Sequence, residues 1–447
     1  MNKVLTKQIG DISKEEAIIN LLKKGIWLYF FLLIFEGALR KWFLPFLATP
    51  LLIVRDPVAL WLIYICWKHN IIKVNLYVII MTFLTIISVS TALVLGHGNL
   101  MVAIFGARIL IIHFPVMFII GKVFSLEDVI KIGKVLLIIA IPMAILIALQ
   151  FYSPQSAWVN RGVGGDMEGA GFSGALGYFR PPGTFSFITG SVMFFCLVGS
   201  FVFYFWLSKV KINRLLLIVA TFSLFASVPL SISRTLLFTV GLIFIFALLS
   251  VAGKPKFFMR LVLFLVLGIM VLTLLSKASF FQTATEAFTH RFDSASNAEG
   301  GVSTSLIHRT FGGMISAITE SSEDLPFFGY GLGIGTNAGA ALLTGERKFL
   351  IAEGEWLRMV GEMGFVIGVL VVLLRVLFCA DITMKSYIGM KSGNLLPWLL
   401  LSAGFLIILK GQWAQPTVLG FSTLTGGLIL AALNDNRIDV KNNNADS

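Results

Sequence analysis

Apolar residues run along this chain in blocks of about twenty, the length at which a helix crosses a hydrocarbon core. About twelve such blocks are predicted as spans: 25–44, 49–67, 74–95, 99–121, 132–151, 184–207, 213–231, 235–252, 257–276, 354–378, 394–411 and 415–433. The polar breaks between them are short, except at 152–183 and 277–353. The pattern predicts an all-α polytopic membrane protein. It has a polar tail 1–24, spans within 25–276 that carry the loop 152–183, a loop module 277–353, further spans within 354–433 and a tail 434–447. Inside the loop module, "SASNAEGGVSTS" (294–305) reads as a flexible loop. "LIHRTFGGMISAI" (306–318) spaces Leu306, Met314, Ile315 and Ile318 as an amphipathic surface helix, with Ser303, Thr304 and Ser305 available to cap it. "GYGLGIGTNAG" (329–339) is a glycine-rich turn without the Lys-hydroxyl ending of a nucleotide phosphate loop.

Composition agrees with the pattern. Of 447 residues, 57% are hydrophobic and 13% charged, about half the charge usual in a soluble protein. The net charge of +12 would suggest nucleic acid in a soluble chain, but here basic residues collect in alternate loops. One set holds Lys3 to Lys24, Lys68, Lys73, Lys122 to Lys134, Lys209 to Arg214, Lys254 to Arg260, Arg375 to Lys391, Arg437 and Lys441. The positive-inside rule makes that set cytoplasmic, with both termini inside and the two long loops outside. The polar first 24 residues are not a cleavable signal, so the first span serves as the insertion signal. The three cysteines, Cys66, Cys196 and Cys379, form neither a disulfide framework nor a metal site.

The informative charges break this rule. Arg180, Arg234, Arg291 and Arg309 stay outside, and they are arginines where the inside set is mostly lysine. A guanidinium offers a planar fork of donors to phosphate oxygens, so several converging arginines suit a pyrophosphate. For any one of them alone, snorkelling or pairing with a lipid headgroup is the favoured reading. Arg180 stands before "PPG", which reads as a stiff helix entry whose free amides add anion donors. Within the spans, Glu36 and Arg40 share a helix face, Arg55 and Asp56 follow across a short connection, and Arg108 lies at the same outer depth. These five read as cavity residues or as a buried ion-pair network. His113, one turn deeper, reads as a hydrogen-bonded core residue. In "IAEGEWLRMVGEMGFVIG" (351–368), Glu353, Glu355, Arg358 and Glu362 stand at the outer start of a long span. They read either as a general base with its partners or as an interfacial charge ladder.

An ordered set of motifs resembles the O-antigen polymerase and ligase family of bacterial envelopes. These are "RPPGTFSF", "SISRTLLF", "HRTFGGMISAI", "LPFFGYGLGIG" and "EGEWLRMVGEMGFVIG", spread over about 178–368. The resemblance implies a bundle of about a dozen helices with a periplasmic helical loop, similar to the membrane-embedded GT-C-type glycosyltransferases. It implies transfer of a growing glycan from undecaprenyl pyrophosphate to another lipid-linked unit at the outer face of the bacterial inner membrane. No metal or other cofactor is implied. Arg180, Arg234, Arg309 and Arg358 would bind the pyrophosphate, and Glu353 or Glu355 would be the base. The partners implied are the lipid-linked donor and acceptor, the bilayer and a chain-length regulator, with no nucleic acid. Ligases of this family carry a His where Glu353 stands, which favours the polymerase. Two alternatives are a ligase that passes glycan to lipid A core, and a polysaccharide transporter or flippase, whose charges would be expected at the midplane.

Overall fold

The structure, a computed structural model, describes residues 2–72, 75–252, 277–298, 325–345, 350–352 and 354–434, together with scattered positions in 255–273; side chains are described from residue 14. Helices dominate. In chain order they are α1 (Asn2–Ala38), α2 (Arg55–Lys68), α3 (Leu76–Val94), α4 (Leu100–Arg108), α5 (Phe114–Val123) and α6 (Leu126–Tyr152). A hairpin of β1 (Phe172–Ala175) and β2 (Tyr178–Arg180) follows. Then come α7 (Ile188–Leu207), α8 (Arg214–Leu230), α9 (Arg234–Val251), α10 (Ser279–Ala298), α11 (Asn337–Thr344), α12 (Glu355–Lys391), α13 (Leu395–Lys410) and α14 (Pro416–Asn434).

Among the described residues, nine helices are long and apolar enough to cross a membrane, and α8 and α13 are shorter apolar helices. Every predicted block except 257–276 coincides with a described helix; that block lies mostly outside the described residues, as does the helix expected at 306–318. Polar side chains cap the entries as local chemistry requires. Asn75, Asn99 and Asn213 accept from the first free amides of α3, α4 and α8, and Ser125 with Asp128 forms a capping box on α6. α1 runs unbroken through the first 24 residues and into the first apolar block. Residues 294–298 end α10 rather than beginning a loop.

Two helices change pitch where they carry charge. A π turn at Leu39–Phe43 closes α1 and holds Arg40 and Lys41, and another at Ile109–His113 joins α4 to α5 beside Arg108 and His113. A π turn inserts one residue per turn and so re-aims side chains, which is why such turns collect at functional positions. Contacts between connections gather at one end of the bundle. There Arg40 O accepts from Gly164 N, Lys41 reaches Gly183 O, Arg55 reaches Pro416 O, and His97 meets Leu332 O. We call this the hairpin end. At the other end, Lys23 pairs with Asp128 at 2.6 Å.

The largest departure from expectation is α12. Its 37 residues do not form one rod, because Gly364 has φ 79° and ψ 166°, a region essentially closed to residues with a Cβ. The arms 355–363 and 365–391 fold back on one another. A Cβ built on Gly368 would stand 2.6 Å from Val360 Cα, although eight residues along a straight helix separate them by about 12 Å. The predicted span 354–378 is therefore replaced by a short returning arm and a long helix. Glu355 lies beside Arg375, about 16 Å along the long arm from the turn, rather than at the start of a span.

Gly364→Ala tests this fold-back. Backbone strain alone should cost about 1–3 kcal/mol, and the added Cβ would also strike the Phe327 carbonyl. A lower unfolding midpoint of the purified protein in detergent is expected; an unchanged midpoint would contradict the hairpin.

Candidate functional site

Three charged assemblies lie toward the hairpin end, and they differ in what their charges have left to do. The first joins α1, α2 and α4 to the π turn. Glu36 receives Arg40 at 3.4 Å and Arg55 at 3.3 Å. Asp56 is held by Arg108 Nη1 at 2.8 and 2.9 Å and by His113 Nε2 at 2.9 Å, and Tyr29 Oη lies 2.9 Å from His113 Nδ1. The tautomer that satisfies both contacts carries its proton on Nε2 and accepts from Tyr29. Arg40 also donates to Ala48 O and Ser186 Oγ, and Arg55 to Pro416 O. This is a helix-locking network. His113, which the sequence predicts as a hydrogen-bonded core residue, is buried and bonded at both ring nitrogens at the centre of this group.

The second assembly holds the α12 fold-back. Arg358 makes a fork with Glu355, both bonds 3.0 Å, and reaches Glu362 at 2.6 Å. Arg375 meets Glu355 at 2.9 Å, donates to Ile408 O and Gly411 O, and lies 3.7 Å over the Trp413 ring. Glu362 accepts from Gly335 N at 2.8 Å. All four side chains are buried. The pairing of Arg358 with Glu355 and Glu362 follows from the helix face that their spacing gives them. Arg358 is committed to two carboxylates rather than presented to a pyrophosphate, and Glu355 is bound by two arginines rather than open to a substrate. Arg375 is also no cytoplasmic loop residue. A lone arginine in "VVLLRVLF" carried that signal, because a cation flanked by apolar residues on both sides belongs inside a span.

The third assembly is the arginine cavity. Arg180 ends β2, where it pairs with Phe172. The following Pro181, Pro182 and Gly183 are buried and form a pinned loop, not a helix start, since α7 begins only at Ile188. Gly183 is held at both ends: its N–H donates to Gln150, and its carbonyl accepts from Gln150 and from Lys41 Nζ at 2.7 Å. Thr184 donates to Ile34 O at 2.7 Å. These bonds make the loop rigid and set the direction of Arg180. Lys41, wholly buried, was missed in the sequence because it stands next to Arg40.

Arg180 lines a cavity of about 150 Å³ between α7, α9 and α13. Thr189, Cys196, Ser233, Thr235 and Ser402 share its wall with Val192, Met193 and Leu406, and none of its lining residues is acidic. Arg180 Nε is buried without a hydrogen-bond partner. Burial, followed by the charges of Arg291 and Arg234, brings the Arg180 pKa down to about 10, so the guanidinium still carries its charge at neutral pH. Repelled and partly desolvated, it is poised for an anion. Arg234 begins α9 after a turn in which Ile232, a buried β-branched residue, is held at φ 46°. Strain of this kind persists where the surroundings over-determine it, and it aims Ser233 and Arg234 here.

The structure thus brings Arg180 and Arg234 together with Arg291, and sets Glu355 and Arg358 on the far side of α13. Arg309 and Glu353 lie outside the described residues. No family model matches this chain, and no curated protein matches it.

Replacing Arg375 with Met tests the structural role of the second assembly. Removing one partner of a buried pair should cost about 3–5 kcal/mol in thermal unfolding. Adding Glu355→Gln should recover part of that loss; strict additivity of the two changes would contradict the pairing.

Proposed function

We propose that the protein is a membrane-embedded glycosyltransferase that polymerises glycan units carried on undecaprenyl pyrophosphate, with the Arg180 cavity taking the pyrophosphate. The observation that carries this reading is Arg180 on a cavity with hydroxyl groups and an apolar floor, close enough to Arg291 and Arg234 to feel their charge. A lipid pyrophosphate has that division, an anionic head on an apolar chain. The hairpin end then faces outward in a bacterial inner membrane, with both termini cytoplasmic, as the placement of lysines favours. Block 257–276 would supply a further span toward the dozen of a GT-C-like bundle, and Arg309 would join the clamp.

In the reaction, an acceptor hydroxyl attacks the anomeric carbon of the donor sugar. The bond from that carbon to the pyrophosphate oxygen breaks, and the configuration inverts. The leaving group departs with the electron pair, and its charge falls on fixed guanidinium groups that need no reorganisation. The acceptor proton passes to a base, for which Glu353 is the remaining candidate. Glu355, Arg358 and Arg375 hold the scaffold. Arg234 and the N-capping Ser233 hold the far wall of the cavity. A chain-length regulator would act on the exposed face of the loop module.

A second reading, a proton-linked transporter or flippase, is favoured by one observation, the buried chain Tyr29–His113–Asp56–Arg108. The purified protein supplied with a lipid-linked repeat unit decides between them. A ladder of products supports the polymerase. A product formed only with added lipid A core identifies a ligase, and lipid movement across liposomes without reaction identifies a flippase. Arg180→Ala should lower ladder formation by about 100-fold or more, while Glu353→Gln should lower turnover with donor binding retained. Full-length ladders from Arg180→Ala would remove the clamp.

A further inference from the structure

A second cavity, of about 300 Å³, opens between the β-hairpin and α10. Gly174 and Ala175 form one wall, and His290, Arg291 and Ser294 form the other. Arg291 Nη1 donates to Gly174 O at 3.0 Å and ties the helix to the strand. One turn apart, His290 Nδ1 and Ser294 Oγ are 3.5 Å from each other, and both side chains are exposed. Gly174 also packs against Arg180 and Ile232, so one strand pair divides this cavity from the Arg180 cavity.

The two cavities differ in chemistry. The Arg180 cavity has an apolar floor of Val192, Met193 and Leu406. Among the described residues, the second has no large apolar lining residue and no acidic one. A prenyl chain has nothing to bury there. A guanidinium, an imidazole and a hydroxyl within one helical turn suit a ligand rich in hydroxyls that also carries a negative charge. Transfer between two glycans needs two sugar sites within reach of each other, and the hairpin places these cavities on its two sides.

We infer that the cavity between the β-hairpin and α10 is a subsite for a saccharide bearing an oxyanion, either a carboxylate or a phosphate, and that it receives the acceptor glycan. The acceptor role rests on the glycan-transfer reading; binding of the acidic sugar does not. Arg291 gives the oxyanion its charged partner, and His290 and Ser294 take ring hydroxyls. The cation at Arg291 also lowers the cost of bringing a second negative substrate toward the Arg180 cavity.

The test uses the full chain in lipid nanodiscs with carbon-13 labelled histidine. The chain holds only five histidines, and the His290 signal is identified by its loss in His290→Gln. The probes are methyl glucuronide, glucose 1-phosphate, neutral methyl glucoside and inorganic pyrophosphate. One or both acidic sugars should shift the His290 signal saturably, with methyl glucoside and pyrophosphate weaker by about tenfold or more. Whichever acidic sugar binds tighter names the oxyanion. Ser294→Ala, at an exposed position, should weaken binding several-fold, while Arg180→Ala should retain a saturable shift. Absence of a shift with both acidic sugars overturns the proposal, as does an equal response to the neutral sugar or to pyrophosphate. Loss of the shift in Arg180→Ala overturns it too, since the signal would then come from the first cavity. A shift without any polymer ladder removes the acceptor role and keeps the subsite.

Discussion

Glu355 is shared by two arginines, and much of the bundle depends on that sharing. In hydrocarbon a lone carboxylate is untenable, and a lone guanidinium nearly so. Placed between Arg358 and Arg375, the carboxylate draws the arm 355–363 back along the arm 365–391. Arg375 uses its remaining donors on Ile408 and Gly411, and thereby satisfies carbonyls that the end of α13 leaves free. The end of α13 is fixed by this contact, and the opposite face of α13 forms one wall of the arginine cavity. A charge pair that never meets a substrate thus positions a surface that would.

The sign of the neighbouring charge separates scaffold from site. Glu36, Arg40, Arg55, Asp56 and Arg108 are arranged in pairs of opposite sign, with backbone carbonyls filling in. Around Arg180 the neighbouring charges named by its depressed pKa are of the same sign. The loop that follows Arg180 is pinned at Gly183 by Gln150 and Lys41 and at Thr184 by Ile34. Such an arrangement favours an anion beside Arg180. That is the preorganisation a developing pyrophosphate charge would use.

The positions of the helices were legible in the sequence because hydropathy over twenty residues is a local property. The convergence of Arg180 and Arg234 was legible because each breaks the loop-charge pattern beside a span. The fold-back at Gly364 was not, since "EWLRMVGEMGFVIG" reads as one continuous apolar helix and the sign of φ at a glycine leaves no trace in composition. The shared face of Glu355, Arg358 and Glu362 was legible in their spacing, whereas Arg375 as a partner was not, because only the returning arm brings Glu355 to it. The partner of His113, and Lys41 altogether, were missed for a related reason. Each gains its meaning from a partner far along the chain, Asp56 and Gly183, that only packing supplies.

The most direct test is to locate a bound head group. A structure of the protein in nanodiscs with a non-hydrolysable undecaprenyl pyrophosphate analogue should place the phosphorus atoms within hydrogen-bond reach of Arg180 and Ser233, with the prenyl chain leaving between α7 and α9. Phosphorus density elsewhere, for instance beside Arg40 and Arg55, would contradict the assignment of the pyrophosphate to the Arg180 cavity.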